Sequence, residues 1–179
     1  MYTLTKTPNT TQYSLSGKLV LACVYAIASL IIAGTLYTVI HWLMGSYQTF
    51  WALYRMPAYH LEYPMLYAMI PCFFFGVIAS LFHATFQRVS IWRQLGIFLG
   101  IMCLVLVLSS PFGGMLWYYH DMQAGYFPEH WISKMVLDGA RQGLLFWWLI
   151  VGLSIPFNLL WIGACFWLMK AQFFQKFSS

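Results

Sequence analysis

Side chains that could bind a metal or move a proton are concentrated in two stretches of this chain, before residue 63 and after residue 119. The set comprises His41, His60, Glu62, His120, Asp121, Glu129 and His130. Three or four such ligands around an open coordination position suit Zn²⁺ or Fe²⁺, and a carboxylate beside an imidazole can orient it for proton transfer. A haem held between His41 and His120 is a further possibility.

We call these seven residues the outer polar cluster, because the orientation derived below places them on the outer side of the membrane. Their spacing matches no dedicated motif such as HExxH. The sequence therefore assigns no metal, no cofactor and no catalytic residue. The same residues could instead be ordinary solvated loop residues, or they could contact lipid headgroups or a partner protein.

A second set of polar residues and prolines lies inside the apolar segments, where LSSPF at 108–112 is echoed by LSIPF at 153–157. The set comprises Ser109, Ser110, Pro111, Ser154, Pro156 and Asn158. Proline removes a helical hydrogen bond, and a nearby serine hydroxyl can satisfy the carbonyl that is freed. The simplest prediction is two interrupted or kinked helices. The alternative is an inverted repeat of broken helices, as in transporters.

The elements that must position these residues are four apolar stretches, each long enough to cross a bilayer as a helix. They cover residues 19–44, 65–86, 94–117 and 144–169. Only 7% of the residues are charged, whereas soluble domains carry about 25%, so a soluble globular fold is excluded. The prediction is one all-α integral membrane domain over residues 1–179, built as a four-transmembrane-helix bundle.

Loops at residues 45–64 and 118–143 close the same end of this bundle, and each is predicted to contain an interfacial helix. With the N-terminus inside, the inner side holds Lys6, Lys18, Arg88, Arg93, Lys170 and Lys176, and all four acidic residues lie outside. The positive-inside rule then predicts cytoplasmic N- and C-termini in the plasma membrane, which is the inner membrane of a Gram-negative cell. The net charge of +5 fits an inner rim facing anionic lipid headgroups, and nucleic acid is not an expected partner.

Small residues at four-residue spacing predict helix faces on which a second helix can approach closely. The faces are Gly96 with Gly100, Gly139 with Gly143, and Ala22, Ala26 and Ser29 of the first span. Their number exceeds what a four-helix bundle needs for its own packing.

These features favour a non-catalytic accessory or regulatory subunit that binds another membrane protein or a second copy of itself. The central portions of the spans contain no Asp, Glu, Lys or Arg, which argues against a proton-coupled transporter with a buried charge. Two alternatives stay open. One is a small transporter, channel or lipid-handling protein that uses the third and fourth spans. The other is a membrane enzyme, or a metal or haem redox protein, that uses the outer polar cluster.

Overall fold

The structure is a computed structural model that describes residues 15–44, 64–126, 132–153 and 157–171. These ranges form helices without any strand. The helices are α1 (Leu15–Met44), α2 (Pro64–Arg88), α3 (Ile91–Gln123), α4 (Ile132–Leu153) and α5 (Phe157–Lys170). The predicted all-helical class is therefore confirmed.

Three helices are long and apolar enough to cross a membrane, over Leu15–Ile40, Leu66–Arg88 and Ile91–Gln123, and α5 is apolar but shorter. Their outward faces carry large apolar side chains such as Ile31 and Phe73. Hydrocarbon accommodates such a surface, whereas soluble proteins seldom expose apolar patches of this extent. Membrane association follows from both observations.

Close backbone contact between small residues packs α1 against α2. A Cβ added to Gly76 would lie 2.5 Å from the Ala22 carbonyl oxygen and 2.7 Å from the Ala26 Cβ. One turn further along α1, the Ser29 side chain lies near the thiol of Cys72. Contacts further along α1 involve earlier residues of α2, so the two helices are antiparallel.

A two-residue turn at Val89 and Ser90 reverses the chain between α2 and α3. The Gln94 side-chain amide donates to the Phe86 carbonyl across this turn at 3.1 Å. Further from the turn, the rings of Phe74 and Phe112 lie 5.6 Å apart. These contacts make α2 and α3 an antiparallel pair with matched ends.

Helix α5 runs parallel to α2. Its Trp161 ring lies edge-on to Phe75, with centroids 6.0 Å apart, and the Gln87 side-chain amide donates to the Met169 carbonyl at 2.6 Å. The bundle therefore has a turn end, where α1 begins, α2 meets α3 and α5 finishes. The opposite end, where α2 begins and α3 finishes, is the loop end.

Helix α3 is not interrupted at Pro111, so the predicted break in the third span is wrong. The helix continues over 33 residues with Pro111 inside it. The loss of a single backbone hydrogen bond is tolerated because the flanking turns keep theirs. At about 1.5 Å per residue the helix is about 50 Å long, which exceeds a hydrocarbon core of about 30 Å.

The predicted loop at 118–143 is largely helical. Its first residues belong to the end of α3, and its amphipathic second half forms the start of α4. Helix α4 ends at Leu153 and α5 begins at Phe157, while the residues between them lie outside the described ranges. The interfacial helix predicted within 45–64 also falls outside them.

Candidate functional site

Two residues of the predicted outer polar cluster, His120 and Asp121, occupy the last turn of α3 at the loop end. The indole nitrogen of Trp117 donates to the Asp121 carboxylate at 2.9 Å. His120 is only 8% exposed and stacks on the ring of Tyr67 from α2, with centroids 5.9 Å apart and ring planes at 17°. Helix spacing alone places His120 and Asp121 side by side, whereas the partnership with Tyr67 depends on how α2 packs on α3.

The contacts that the structure describes around His120 and Asp121 are hydrogen bonds and ring stacking. The Tyr67 hydroxyl is shielded from solvent and has no hydrogen-bond partner within the described part of the chain. Over that same part, no three His, Cys, Asp or Glu side chains converge as a metal site would require.

The other predicted members of the cluster are not placed by the structure. His60, Glu62, Glu129 and His130 lie outside the described residues, and His41 is in the last turn of α1 with its side chain outside the description.

The two serines of the predicted intramembrane site donate their hydroxyl protons to their own helix. Ser109 and Ser110 both donate to the Leu106 carbonyl, at 3.2 Å and 2.5 Å. Pro111 has no N–H, so the carbonyl of Val107, four residues earlier, loses its usual helical donor. The serines donate to the neighbouring Leu106 carbonyl and do not cap the Val107 carbonyl. Neither hydroxyl proton is then available to a ligand.

The remaining residues of that predicted site belong to the second LSxPF copy. Ser154 and Pro156 lie outside the described residues, and Asn158 sits half-buried in the first turn of α5. The inverted repeat therefore stays a prediction.

Helices α3 and α4 meet along a seam of small residues. A Cβ added to Gly143 would collide with the backbone of Ser110, and one added to Gly114 would collide with the Gly139 carbonyl oxygen. Because Ser110 pairs with Gly143 and Gly114 with Gly139, the two helices are antiparallel with their backbones in contact. The predicted pair Gly139 and Gly143 forms half of this α3–α4 seam.

The predicted pair Gly96 and Gly100 has the opposite environment. A Cβ added to either glycine would meet no atom of the described chain within 4 Å. Cys103, seven residues after Gly96 and on the same side of α3, is also exposed. We call these three residues the open face of α3, because nothing in the described ranges covers them.

A buried polar pair inside the bundle was not anticipated from the sequence. The Tyr25 hydroxyl lies 2.6 Å from Nδ1 of His83, and both residues are fully buried. The available signal was that His83 is a histidine within an apolar span, since buried polar groups in proteins are nearly always hydrogen-bonded. A tyrosine in the neighbouring span was a suitable partner.

Further polar atoms join α1, α2 and α5 next to this pair. The Trp161 indole donates to the Ser29 carbonyl at 3.2 Å, and it lies near the thiol of Cys72. Cys165 is a close neighbour of Cys72. The bond from Trp161 to Ser29 ties α5 to α1 in the interior of the bundle.

Family models, curated proteins and solved structures all fail to match this chain in comparison searches.

Proposed function

We propose that this protein is a multi-pass membrane accessory or regulatory subunit that binds another membrane protein through the open face of α3. The observation that supports the proposal is a contrast between two glycine pairs of identical spacing. Gly139 and Gly143 lie against α3, whereas Gly96 and Gly100 have no neighbour within 4 Å among the described residues.

Glycine at an exposed helical position needs a physical reason. Each glycine in a helix interior costs about 1 kcal/mol relative to alanine. Two glycines on one lipid-facing side allow a second helix to approach until backbones touch, and van der Waals packing of this kind drives helix association in membranes. Packing against a helix of another protein would offset the free-energy cost of these two glycines.

We further propose that α4 and α5 together form a fourth crossing, with both termini cytoplasmic and the turn end facing the cytoplasm of a plasma or bacterial inner membrane. Basic residues at the turn end support this orientation: Lys18 near the start of α1, Arg88 and Arg93 beside the turn, and Lys170 at the end of α5. Cytoplasmic flanks of membrane helices are enriched in such residues.

Site-specific crosslinking in the native membrane tests the partner proposal. Cys103 and Cys23 are both exposed, but Cys23 is on α1, away from the open face. A photoactivatable maleimide on Cys103, in a Cys23→Ser background, is expected to capture one protein in stoichiometric yield. The same reagent on Cys23, in a Cys103→Ser background, is expected to leave that protein uncaptured.

Leucine substitutions provide the matched control for this experiment. Gly96→Leu with Gly100→Leu fills the groove and should abolish the crosslink. Gly163→Leu should preserve it, because Gly163 also has no described neighbour within 4 Å but lies on α5. An unchanged crosslink in the double variant, or capture of a second copy of this chain alone, would overturn the accessory-subunit proposal.

A further inference from the structure

The turn end of the bundle carries basic residues and, among the residues that the structure describes, no acidic one. Arg88, Arg93 and Lys170 are all exposed, and none of them has an ion pair with another described residue. Of the acidic residues that the structure describes, Asp121 lies in the last turn of α3 and Asp138 in the first half of α4, and neither is beside the turn between α2 and α3. No described carboxylate competes with an external anion for these three cations.

Two hydrogen bonds hold the helix ends that carry these cations against one another. Gln87 donates to the Met169 carbonyl at 2.6 Å and Gln94 donates to the Phe86 carbonyl at 3.1 Å. Arg88 follows Gln87 in the chain, Arg93 precedes Gln94 and Lys170 follows Met169. Each cation is thus one residue away from a contact that fixes three helix ends to one another.

The position of Arg88, Arg93 and Lys170 along the bundle axis corresponds to a membrane surface. The candidate spans, which are defined by length and composition, end at Arg88 and begin at Ile91, and this agrees with a turn at the boundary between hydrocarbon and headgroups. Trp92 and Trp167 are 80% and 67% exposed, and exposed tryptophans of membrane proteins sit at this depth. The Lys170 ammonium lies 5.1 Å from the centre of the Trp167 ring.

We propose that Arg88, Arg93 and Lys170 form a binding site for the phosphate of one anionic phospholipid. Basic clusters between membrane helices on the cytoplasmic side recognise anionic headgroups. The guanidinium groups offer paired donors to phosphate oxygens, and the neighbouring apolar surfaces of α2, α3 and α5 accommodate the acyl chains. The assignment is independent of any protein partner on the open face of α3.

Native mass spectrometry of the purified full-length protein tests this site. The protein is delipidated in detergent and incubated with equimolar phosphatidylglycerol and phosphatidylcholine. The native protein is expected to retain one phosphatidylglycerol in preference to phosphatidylcholine. Removing two cations in Arg88→Gln/Lys170→Gln should lower that preference roughly thirty-fold, at about fivefold per cation.

A loop-end variant with the same loss of charge is the matched control. Lys134→Gln/Arg141→Gln changes two exposed cations of α4 and should retain phosphatidylglycerol as the native protein does. Equal retention by both double variants, or no lipid preference in the native protein, would overturn the proposal. Inorganic phosphate that displaced the lipid at comparable concentration would identify a free-anion site and overturn it as well.

Discussion

At the scale of single residues, the Tyr25–His83 hydrogen bond ties α1 to α2 inside the bundle. A buried polar group that loses its partner costs about 1–3 kcal/mol, although hydrogen bonds between membrane helices contribute only about 0.6 kcal/mol on average. The pair therefore acts mainly by penalising any register of α1 against α2 that would separate the two side chains.

Replacing Tyr25 by Phe is expected to lower the free energy of unfolding by about 1 kcal/mol, because the imidazole of His83 loses the hydroxyl beside it. Unfolding with SDS in mixed micelles measures this change. Tyr126→Phe is the matched control, since Tyr126 is 73% exposed, and it should be neutral. Equal effects of the two substitutions would contradict the structural role of the buried bond.

At the scale of helices, α3 carries two small-residue surfaces with different uses. Ser110 and Gly114 contact α4, while Gly96 and Gly100 have no described neighbour within 4 Å. Spacing predicts that each surface can be approached closely but does not say by which helix. The contacts of Gly139 and Gly143 on α4 are with the part of α3 around Ser110 to Met115.

Alanine substitutions at Gly143 and Gly100 test whether the two small-residue surfaces have different uses. Gly143→Ala should destabilise the protein by about 1–3 kcal/mol, because its Cβ overlaps the Ser110 backbone and α4 must move away. Gly100→Ala should be neutral or slightly stabilising, since alanine favours helix and nothing described lies near it. Thermal unfolding of the two purified variants measures the difference, and equal loss in both would show that the α3–α4 seam is not packed as described.

At the scale of the whole molecule, the distribution of charge distinguishes the two ends of the bundle. Lys18, Arg88, Arg93 and Lys170 are at the turn end, while Asp121 is at the loop end. The proposed orientation puts the turn end in the cytoplasm. It also requires four crossings, because three crossings from a cytoplasmic N-terminus would leave the C-terminus outside.

Reporter fusions in a bacterial host measure this topology. A green fluorescent protein fused after Ser179 should fluoresce, and alkaline phosphatase at the same place should be inactive. Phosphatase fused after Tyr126, beyond the third helix, should be active. An active phosphatase after Ser179 would rule out the fourth crossing, whatever the fate of the partner and lipid proposals.

Part of the candidate site could be predicted from residue types and part could not. Helical spacing was sufficient to place Asp121 next to His120 at the end of α3. The stacking of Tyr67 on His120 and the hydrogen bond between Tyr25 and His83 each join residues more than fifty positions apart in sequence. Such pairs depend on helix rotation and register, which composition and periodicity do not contain.

The sequence alone determined that this chain is helical and apolar, because long uncharged stretches must satisfy their backbone groups internally when they are in lipid. Only the tertiary structure decided that α3 continues through Pro111 and that Gly143 packs against α3 while no described residue covers Gly100. It also decided that the helix ends carrying Arg88, Arg93 and Lys170 are held at one end of the bundle. The physical reason is that local composition sets the state of each segment, whereas contacts between helices depend on where neighbouring side chains allow close approach.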